Sequence, residues 1–516
     1  MQYKSIEFIP KIEVDSLETL ALVYTPGVGY ACQEIEKDKE KSYDYTNRTN
    51  SVAVISFDYD KSLKRAIFLK STLNIDAYPL EVEITPHPTL SPKGRGNATE
   101  AQSLLQLVVE NIEPNFCGFD MTLISEEIKG IDFNVQIPIL KEKNINIMDF
   151  FQPLSRNIFQ FDINKLEGDF KQKSLYLRER AGGVIESRLS EDANQKPVVT
   201  LSDGSSVLGF GNIGAEAGIP VMEGKTVLFR ALGGVNAISL CVKTQEVEEI
   251  IKIAHALKNS FSGINLEDIS APRCFEIEER LIDELDIPVS HDDQHGTAIV
   301  VLAALLNALS VAEKELSEVK IVISGAGAAA QAVSKLLLSA GALNIVHSDK
   351  DGVVYKNRPE NDKYLEELTE ITNKDGSKGE LEDIIEGADV FIGLSAAGVL
   401  KPEFVKKMAD KPIVFALANP TPEIMPDVAK AAGAFIVATG RSDFDNQINN
   451  SLVFPGLFQG VLTHKIKKIT EEIQIECAFA VASLIKDKDL SVTNILPNAL
   501  DPMVPAIIVN RLASFK

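Results

Sequence analysis

Two short acidic segments carry the side chains with the clearest capacity for chemistry. NLEDIS places Glu267 and Asp268 after a strand-like run, and HDDQHGTA places Asp292 and Asp293 after the next one. Because open α/β sheets hold their sites at the carboxyl ends of parallel strands, we expect these carboxylates to converge. Four converging carboxylates repel one another unless a cation joins them, and hard oxygen ligands suit Mg²⁺ or Mn²⁺. Either pair alone is more typical of ordinary caps and turns, so the predicted metal site depends on both pairs together.

Two glycine clusters compete for the role of a dinucleotide-binding turn. VLGFGNIG (207–214) contains a complete Gly-x-Gly-x-x-Gly, whereas GAGAAA (325–330) has Ala330 in place of the third glycine. The second cluster has the required context, because KIVIS before it is strand-like and AAAQAVSKLLLSAGA after it favours a helix. The next strand-like run, NIVHSD, ends on Asp349, which lies 24 residues after Gly325 and suits the ribose hydroxyls. These features predict that the dinucleotide binds at 325–330.

The first glycine cluster lacks that context. We expect the helix after it to be interrupted at Pro220 and again at Gly224, and no acidic residue ends a following strand at the right distance. On its own, the cluster is typical of a tight glycine turn. Because Lys225 follows shortly afterwards, we interpret the turn as a device that positions this lysine.

Beyond residue 205, short β-rich runs alternate with helical patterns, which predicts βαβ units, a parallel sheet and hence an α/β fold. The strand-like runs are VLGF (207–210), INLEDI (264–269), IPVSHDD (287–293), KIVISG (320–325), NIVHSD (344–349), DVFIGLS (389–395), PIVFALAN (412–419) and AFIVATG (434–440). The segment 461–485 reads as one long helix. Upstream, SVAVIS (51–56) and 132–140 read as strands and 103–112 as a helix.

The composition excludes several classes of partner. The 516 residues include 52 basic and 74 acidic side chains, for a net charge of −22. A body this acidic repels nucleic-acid phosphates and anionic membranes, so neither is an expected partner. The five cysteines form no CxxC pair, and the N-terminus has no apolar signal-peptide core, so we expect a reducing, cytoplasmic location.

Several longer stretches resemble one family, the malic enzymes, which oxidise and decarboxylate malate, in their small bacterial form. These stretches are VYTPGVGYACQEI (23–35), VLGFGNIGAEAGIPVMEGKTVLF (207–229), INLEDISAPRCFEIEERL (264–281), IPVSHDDQHGTAIVVLAALLNAL (287–309), GAGAAA (325–330), FALANPTPEI (415–424) and ATGRSDFDNQINNSLVFPG (438–456).

The resemblance implies a role for each matching position. Tyr24 of YTPGVG matches the general acid and Lys225 of EGK the general base. Glu267, Asp268 and Asp293 match the metal ligands. The implied cofactor contacts are Gly325, Gly327, Ala328, Ala329, Ala330, Asp349 and Asn419. The implied substrate contacts are Lys225, Asn419, Asn449 and Asn450.

The resemblance also implies a domain plan and a reaction. Residues 1–56 and 200–310 correspond to an N-terminal catalytic domain with a parallel sheet, and 311–516 to a Rossmann-like NAD(P)-binding domain with C-terminal helices. The segment 57–199 has no counterpart in small bacterial members and is predicted to be an insertion of unknown function. The implied reaction converts malate to pyruvate and CO₂ with reduction of NAD(P)⁺, and a homodimer or larger homo-oligomer is expected.

Two other functions stay open at this point. A malolactic enzyme shares these motifs but keeps its cofactor bound and makes lactate, and a catalytically silent nucleotide-binding protein would bind cofactor without turnover. The choice between NAD and NADP is also open. Asp349 favours a free ribose hydroxyl and hence NAD, whereas Lys350 and Lys356 would suit a 2′-phosphate.

Overall fold

The chain forms two compact units. The computed structural model describes residues 5–11, 13–16, 19–20, 23–24, 28–73, 76–83, 98–116, 118–120, 185–190, 196–207 and 209–515. The first unit comprises 1–14, 18–269 and 279–287, and the second comprises 15–17, 270–278 and 288–516. The strand expected at 132–140 lies outside the described residues.

The first unit contains both helices and short strands. Its strands are β1 (Ser5–Pro10), β2 (Ser51–Ser56), β3 (Asp76–Glu81), β4 (Gly118–Asp120), β5 (Ile185–Ser190), β6 (Val198–Ser202), β7 (Ala237–Cys241) and β8 (Gly263–Leu266). Its helices are α1 (Gly29–Lys37), α2 (Ser42–Tyr45), α3 (Tyr59–Leu73), α4 (Ala98–Ile112), α5 (Gly214–Gly233) and α6 (Val247–Leu257). The residues of α7 (Arg273–Glu284) are shared between the two units.

Two groups of parallel strands organise the first unit. β2 lies between β3 and β4, and β6 lies between β7 and β8, with all four pairings parallel. β1 and β5 form a separate antiparallel pair. The strand expected at 51–56 and the helix expected at 103–112 are therefore confirmed, the latter as part of α4. β6 and β8 end side by side, and this is the edge that carries the acidic segment NLEDIS.

The strand expected at VLGF (207–210) is wrong. Val207 and Gly211 form only an isolated bridge, with a turn at residues 209 and 210. Gly209 and Gly211 have φ values of 80° and 74°, which side chains with a Cβ rarely adopt. The glycines therefore fold this apolar run back on itself, although its composition suits a strand.

One part of the predicted insertion is integral to the first unit. The buried side chain of Asn115, just after α4, accepts a hydrogen bond from the Cys241 N–H (2.8 Å) and donates one to the Cys241 carbonyl (2.7 Å). The Asn115 side chain thus provides hydrogen-bond partners for both backbone groups of Cys241, the last residue of β7, as a neighbouring strand would. Asn111 likewise accepts from the backbone N–H of Thr244 at 2.7 Å.

We expect Asn115→Ala to lower the free energy of unfolding by about 2 to 3 kcal/mol, because two buried backbone groups of Cys241 would lose their partner. Denaturant titration measures this loss. Gln106→Ala provides the control, since Gln106 lies on the same helix but only pairs with Glu110 on the exposed face. A loss no larger than that of the control would show that 98–116 is merely attached to the unit.

The second unit contains a six-stranded sheet surrounded by helices. Its strands are β9 (Val289–His291), β10 (Lys320–Ser324), β11 (Asn344–Asp349), β12 (Gly352–Val353), β13 (Val390–Gly393), β14 (Ile413–Ala416) and β15 (Ile436–Thr439). Its helices are α8 (Asp292–Ala312), α9 (Ala328–Ser339), α10 (Lys363–Ile371), α11 (Leu381–Ile385), α12 (Pro402–Val405), α13 (Pro426–Ala431), α14 (Phe454–His464), α15 (Glu471–Ala482) and α16 (Met503–Leu512).

The sheet order is β12-β11-β10-β13-β14-β15, and all pairings are parallel except that of β11 with β12. The strands expected from residue 320 onward are confirmed, and so is the α/β class. Chain order reverses between β10 and β13, which makes this edge the expected crevice for a dinucleotide.

The single long helix expected over 461–485 is wrong. α14 ends at His464, Lys465 adopts a left-handed conformation (φ 57°), and α15 begins only at Glu471. The Thr470 side chain caps α15 by accepting from the Ile473 N–H. Threonine is among the residues preferred at helix N-caps, so Thr470 is the signal in the sequence that could have located the start of α15.

α8 is the one described helix that is long and apolar enough to cross a membrane, judged by length and composition only. Its most apolar stretch is 72% buried within the protein, as is typical of a core helix.

Candidate active site

Lys225 is positioned by the buried helix α5. The helix runs unbroken through Pro220 and Gly224, so the interruption expected from the sequence is wrong. Proline removes one helical hydrogen bond, but almost every residue of α5 from 215 to 229 is buried. Tertiary packing therefore outweighs the local cost of the proline and the glycine.

The glycine at 224 has a specific spatial role. A Cβ at this position would lie 2.3 Å from the carbonyl oxygen of Val23 and 3.2 Å from the ring of Tyr24. Glycine thus lets the chain at Val23 and Tyr24 pass directly against the helix, one residue before Lys225. The Lys225 Nζ donates to the Tyr24 hydroxyl at 3.2 Å, and both side chains are buried.

Two carboxylates lie at the end of β8. The Glu267 N–H donates to the Leu201 carbonyl of β6, which continues the strand pairing by one residue. Its Oε1 lies 2.7 Å from the Lys225 Nζ, and its Oε2 accepts from the Asn265 amide at 2.8 Å. Asp268 follows with a left-handed φ of 54°, so the chain turns sharply here. Tyr24, Lys225 and Glu267 thus form one contiguous cluster, with Asp268 adjoining it in the chain.

The glycine turn at 207–214 lies just before this helix. Gly214, the first residue of α5, has a φ of 76°, as expected for a tight glycine turn. Gly204 touches it so closely that a Cβ at 204 would lie 2.2 Å from the Gly214 carbonyl oxygen. The Ser206 N–H donates to the Asp268 carbonyl at 2.9 Å. The turn therefore connects the start of α5 with the acidic segment, and the helix itself carries Lys225.

In the second unit, Asp292 and Asp293 begin α8. Gly296 lies one turn later, and a Cβ there would lie 1.9 Å from the Asp292 Oδ1 and 3.1 Å from the Asn450 Cβ. The Asp292 side chain therefore folds against its own helix, next to Asn450. The neighbouring Asn449 accepts from the Ser451 N–H at 2.9 Å and caps the short helical turn that contains Asn450.

The predicted dinucleotide turn has the expected geometry. Gly325 follows β10 with a φ of 120°, and a Cβ there would lie 2.4 Å from the Leu394 carbonyl oxygen. Gly327 precedes α9, which starts at Ala328. Ala330 is buried, and its small side chain occupies the position where the complete motif has a third glycine. The strand-turn-helix context predicted for 325–330 is thus present.

Asp349 ends β11, and sequence reasoning missed its partner. The buried guanidinium of Arg358 donates to both of its carboxylate oxygens, and the Asp351 N–H donates to Oδ1 at 2.8 Å. Although burial opposes ionisation, the hydrogen bonds from Arg358 hold the pKa of Asp349 below its usual range. Lys350 pairs with Asp351 at 2.7 Å.

Asn419 lies after β14. Its side-chain amide donates to the Leu417 carbonyl at 3.2 Å. Gly440 packs against it, since a Cβ at 440 would lie 2.6 Å from the Asn419 Nδ2. The loops after β14 and β15 therefore meet at this amide.

His347 is a second residue that the sequence did not single out. It contacts the predicted dinucleotide turn through its side chain. Its Nδ1 lies 2.9 Å from the Gly325 carbonyl and its Nε2 lies 2.6 Å from the Ser334 hydroxyl. Because a carbonyl only accepts, Nδ1 carries the proton, and Nε2 accepts from Ser334. Burial lowers the pKa of His347 to about 4.

This pKa gives stability a pH dependence. In the unfolded chain the histidine takes up its proton near pH 6.5, whereas in the folded protein it resists protonation down to about pH 4. Stability from this group is therefore lost as pH falls below 6.5, by about 2 kcal/mol between pH 7.5 and pH 5. Denaturant titrations at both pH values should show that the free energy of unfolding changes less with pH in His347→Asn than in the parent. Equal changes in the two proteins would contradict this assignment.

Two family models match the chain: the malic enzyme N-terminal domain at 3–67 and 162–282, and the malic enzyme NAD-binding domain at 294–503. The chain belongs to the malic enzyme family. The N-terminal match is interrupted between residues 67 and 162, within the segment 57–199 that was predicted as an insertion; the limits of that insertion stay a prediction.

Individual malic enzymes show how far the similarity extends. The NAD-dependent malic enzyme of Geobacillus stearothermophilus is 52% identical over 307 residues, which span 60% of this chain and 64% of that protein. The bifunctional malic/malolactic enzyme of Bacillus subtilis is 49% identical over 61% of this chain and 77% of its own. The crystal structure of the NAD-dependent malic enzyme from Thermotoga maritima has a TM-score of 0.58 and 34% identity, covering 98% of this chain and 94% of that one.

Proposed function

We propose that this protein catalyses the oxidative decarboxylation of malate to pyruvate and CO₂, with reduction of NAD(P)⁺ and dependence on a divalent cation. The observation that carries the proposal is the buried cluster of Tyr24, Lys225 and Glu267. A lysine and a tyrosine whose polar atoms are 3.2 Å apart form an acid–base pair. This is what a reaction that removes a hydroxyl proton and later supplies a carbon-bound proton requires.

The acidic residues of the cluster suit a hard divalent cation. Glu267 and Asp268 are adjacent in sequence and both are buried, an arrangement that is costly unless cations accompany them. The Lys225 ammonium accounts for one positive charge. We propose that Glu267 and Asp268 are ligands of Mg²⁺ or Mn²⁺. Asp293 stays the third ligand that the family resemblance implies.

The chain's own residues divide the proton transfers. When bound, the nicotinamide accepts hydride from C2 and the cation polarises the C2 oxygen. Burial and a bound cation both favour the neutral amine of Lys225 over the ammonium, and in that form it takes the proton of the C2 hydroxyl. After CO₂ has left, Tyr24 donates a proton to C3 of the enolate form of pyruvate. Because Lys225 and Tyr24 are hydrogen-bonded to each other, the lysine can return its proton to the tyrosine and so restore both groups.

We further propose that NAD is preferred over NADP. The Asp349 carboxylate is kept ionised and oriented by Arg358, so it can accept from ribose hydroxyls and repels a 2′-phosphate. Lys350 and Lys356, which would suit that phosphate, already pair with Asp351 and Glu370.

Formation of NADH or NADPH from malate, followed at saturating Mn²⁺ with each cofactor, tests both proposals. We expect activity that a chelator abolishes and a higher kcat/KM with NAD. Activity that survives chelation would overturn the metal assignment, and a preference for NADP would overturn the role given to Asp349.

A malolactic reaction is the second candidate, because the relative from Bacillus subtilis is named a bifunctional malic/malolactic enzyme. In that reaction, bound NADH returns its hydride to pyruvate, so lactate accumulates without net cofactor reduction. The ratio of lactate to pyruvate, measured at known NADH yield, separates the two reactions.

A further inference from the structure

Glu423 is a buried carboxylate at the C-terminal edge of the sheet in the second unit. Its Oε1 accepts from the Ser395 N–H after β13, and its Oε2 accepts from the Ala418 N–H after β14, both at 3.0 Å. Burial raises the pKa of this carboxyl, and the backbone N–H groups of Ser395 and Ala418 offset part of that rise. One side chain thus joins the second residues of two loops.

The protein leaves space for this carboxylate. A Cβ at Gly393, the last residue of β13, would lie 2.3 Å from the Glu423 Cδ. The backbone also contributes, because the Leu400 N–H donates to the Glu423 carbonyl and the Gly398 N–H to that of Pro422. The loop after β13 is therefore fastened to Pro422 and Glu423 by both side-chain and main-chain bonds.

The two joined loops adjoin the predicted dinucleotide turn. The hydroxyls of Ser324 and Ser395 lie 2.8 Å apart, which connects the end of β10 to the loop after β13. The Leu394 carbonyl packs against Gly325, the first glycine of the turn. On the other side, Ala418 immediately precedes Asn419. The two loops that Glu423 joins therefore adjoin the dinucleotide turn on one side and contain Asn419 on the other.

We propose that Glu423 is a positioning residue for the dinucleotide: it holds the loops 394–398 and 417–420 at the spacing that the bound cofactor requires. The inference rests on the proposed function in that the bound molecule is NAD(P). Glu423 touches no reacting atom in this assignment and acts through Ser395 and Ala418.

The decisive variant is Glu423→Gln, which keeps the shape but replaces one accepting oxygen with an NH₂ group that faces a backbone N–H. We expect the dissociation constant for NADH, measured by fluorescence titration, and the KM for NAD to rise about tenfold. The KM for malate should change less than threefold. Glu423→Asp, which keeps the charge on a shorter side chain, should be intermediate and provides a second variant if the glutamine form does not fold.

Asp362→Ala is the matched control. Asp362 also accepts a backbone N–H, from Leu365 at 2.8 Å, but it caps α10. The Asp362→Ala substitution should lower the melting temperature and leave the affinity for NADH unchanged. If Glu423→Gln and Glu423→Asp lower the melting temperature but bind NADH as tightly as the parent, the positioning role is refuted. NADH binding is measured without turnover, so a parent that binds NADH but does not oxidise malate would refute the proposed function alone.

Discussion

Replacing Lys225 with alanine is expected to lower kcat for malate oxidation about a thousandfold or more, with NADH affinity nearly unchanged. The substitution removes the proposed acceptor of the C2 hydroxyl proton, and general bases typically contribute a hundredfold to ten-thousandfold. It also leaves the buried Glu267 carboxylate without the ammonium 2.7 Å away. Breaking such a pair costs about 3 to 5 kcal/mol of stability, so kcat must be normalised to the folded fraction.

Lys70→Ala separates the chemical loss from the structural one. Lys70 is another lysine of the same unit with little exposed surface, and its Nζ lies 2.6 Å from the Asp76 carboxylate. We expect a comparable loss of stability with kcat of the folded protein unchanged. If Lys225→Ala retained parental kcat, the lysine would not be the base, and a catalytically silent binding protein would become the better interpretation.

The second large effect is expected for Tyr24→Phe, which should lower the rate of pyruvate formation about a hundredfold to a thousandfold. Only the hydroxyl is lost, and with it the proposed proton donor for C3 and the hydrogen bond from Lys225. The ring that packs against Gly224 stays. Exchange of the C3 hydrogens of pyruvate with D₂O, followed by NMR, reports this step in isolation and should fall by a similar factor.

Tyr78→Phe is the matched control, since Tyr78 is buried in the same unit and its hydroxyl accepts from the Asn47 amide. It should leave exchange at the parental rate. Parental exchange in Tyr24→Phe as well would assign the C3 proton to another donor.

The sequence predicted the parts of the site that depend on strand ends. Glu267 follows β8 and Asp349 ends β11, as the alternation of apolar runs and acidic residues indicated. The dinucleotide turn at 325–330 was predicted from its neighbouring strand and helix in spite of Ala330. These features are local, because a strand, a turn and a helix are encoded within about thirty residues.

The features that the sequence analysis predicted wrongly or missed depend on contacts that are not local in the sequence. Pro220 and Gly224 read as helix breakers, yet α5 continues through both because it is buried. Gly224 leaves the space in which the chain at Tyr24, 200 residues earlier, packs against the helix. His347 and Glu423 read as ordinary members of a strand and a loop. Their partners include Gly325, 22 residues before His347, and Ser395, 28 residues before Glu423, and no periodicity encodes those pairs.

The most direct test of the proposed oxidative decarboxylation uses malate labelled with ¹³C at C4. CO₂, pyruvate and NADH are quantified together in the presence of Mn²⁺ and NAD. We expect one labelled CO₂, one unlabelled pyruvate and one NADH for each malate consumed, and formation of all three slower by about a thousandfold or more with Lys225→Ala. A folded parent that binds NADH but releases no labelled CO₂ would contradict the proposed reaction. Labelled CO₂ accompanied by lactate without NADH would replace it with the malolactic one.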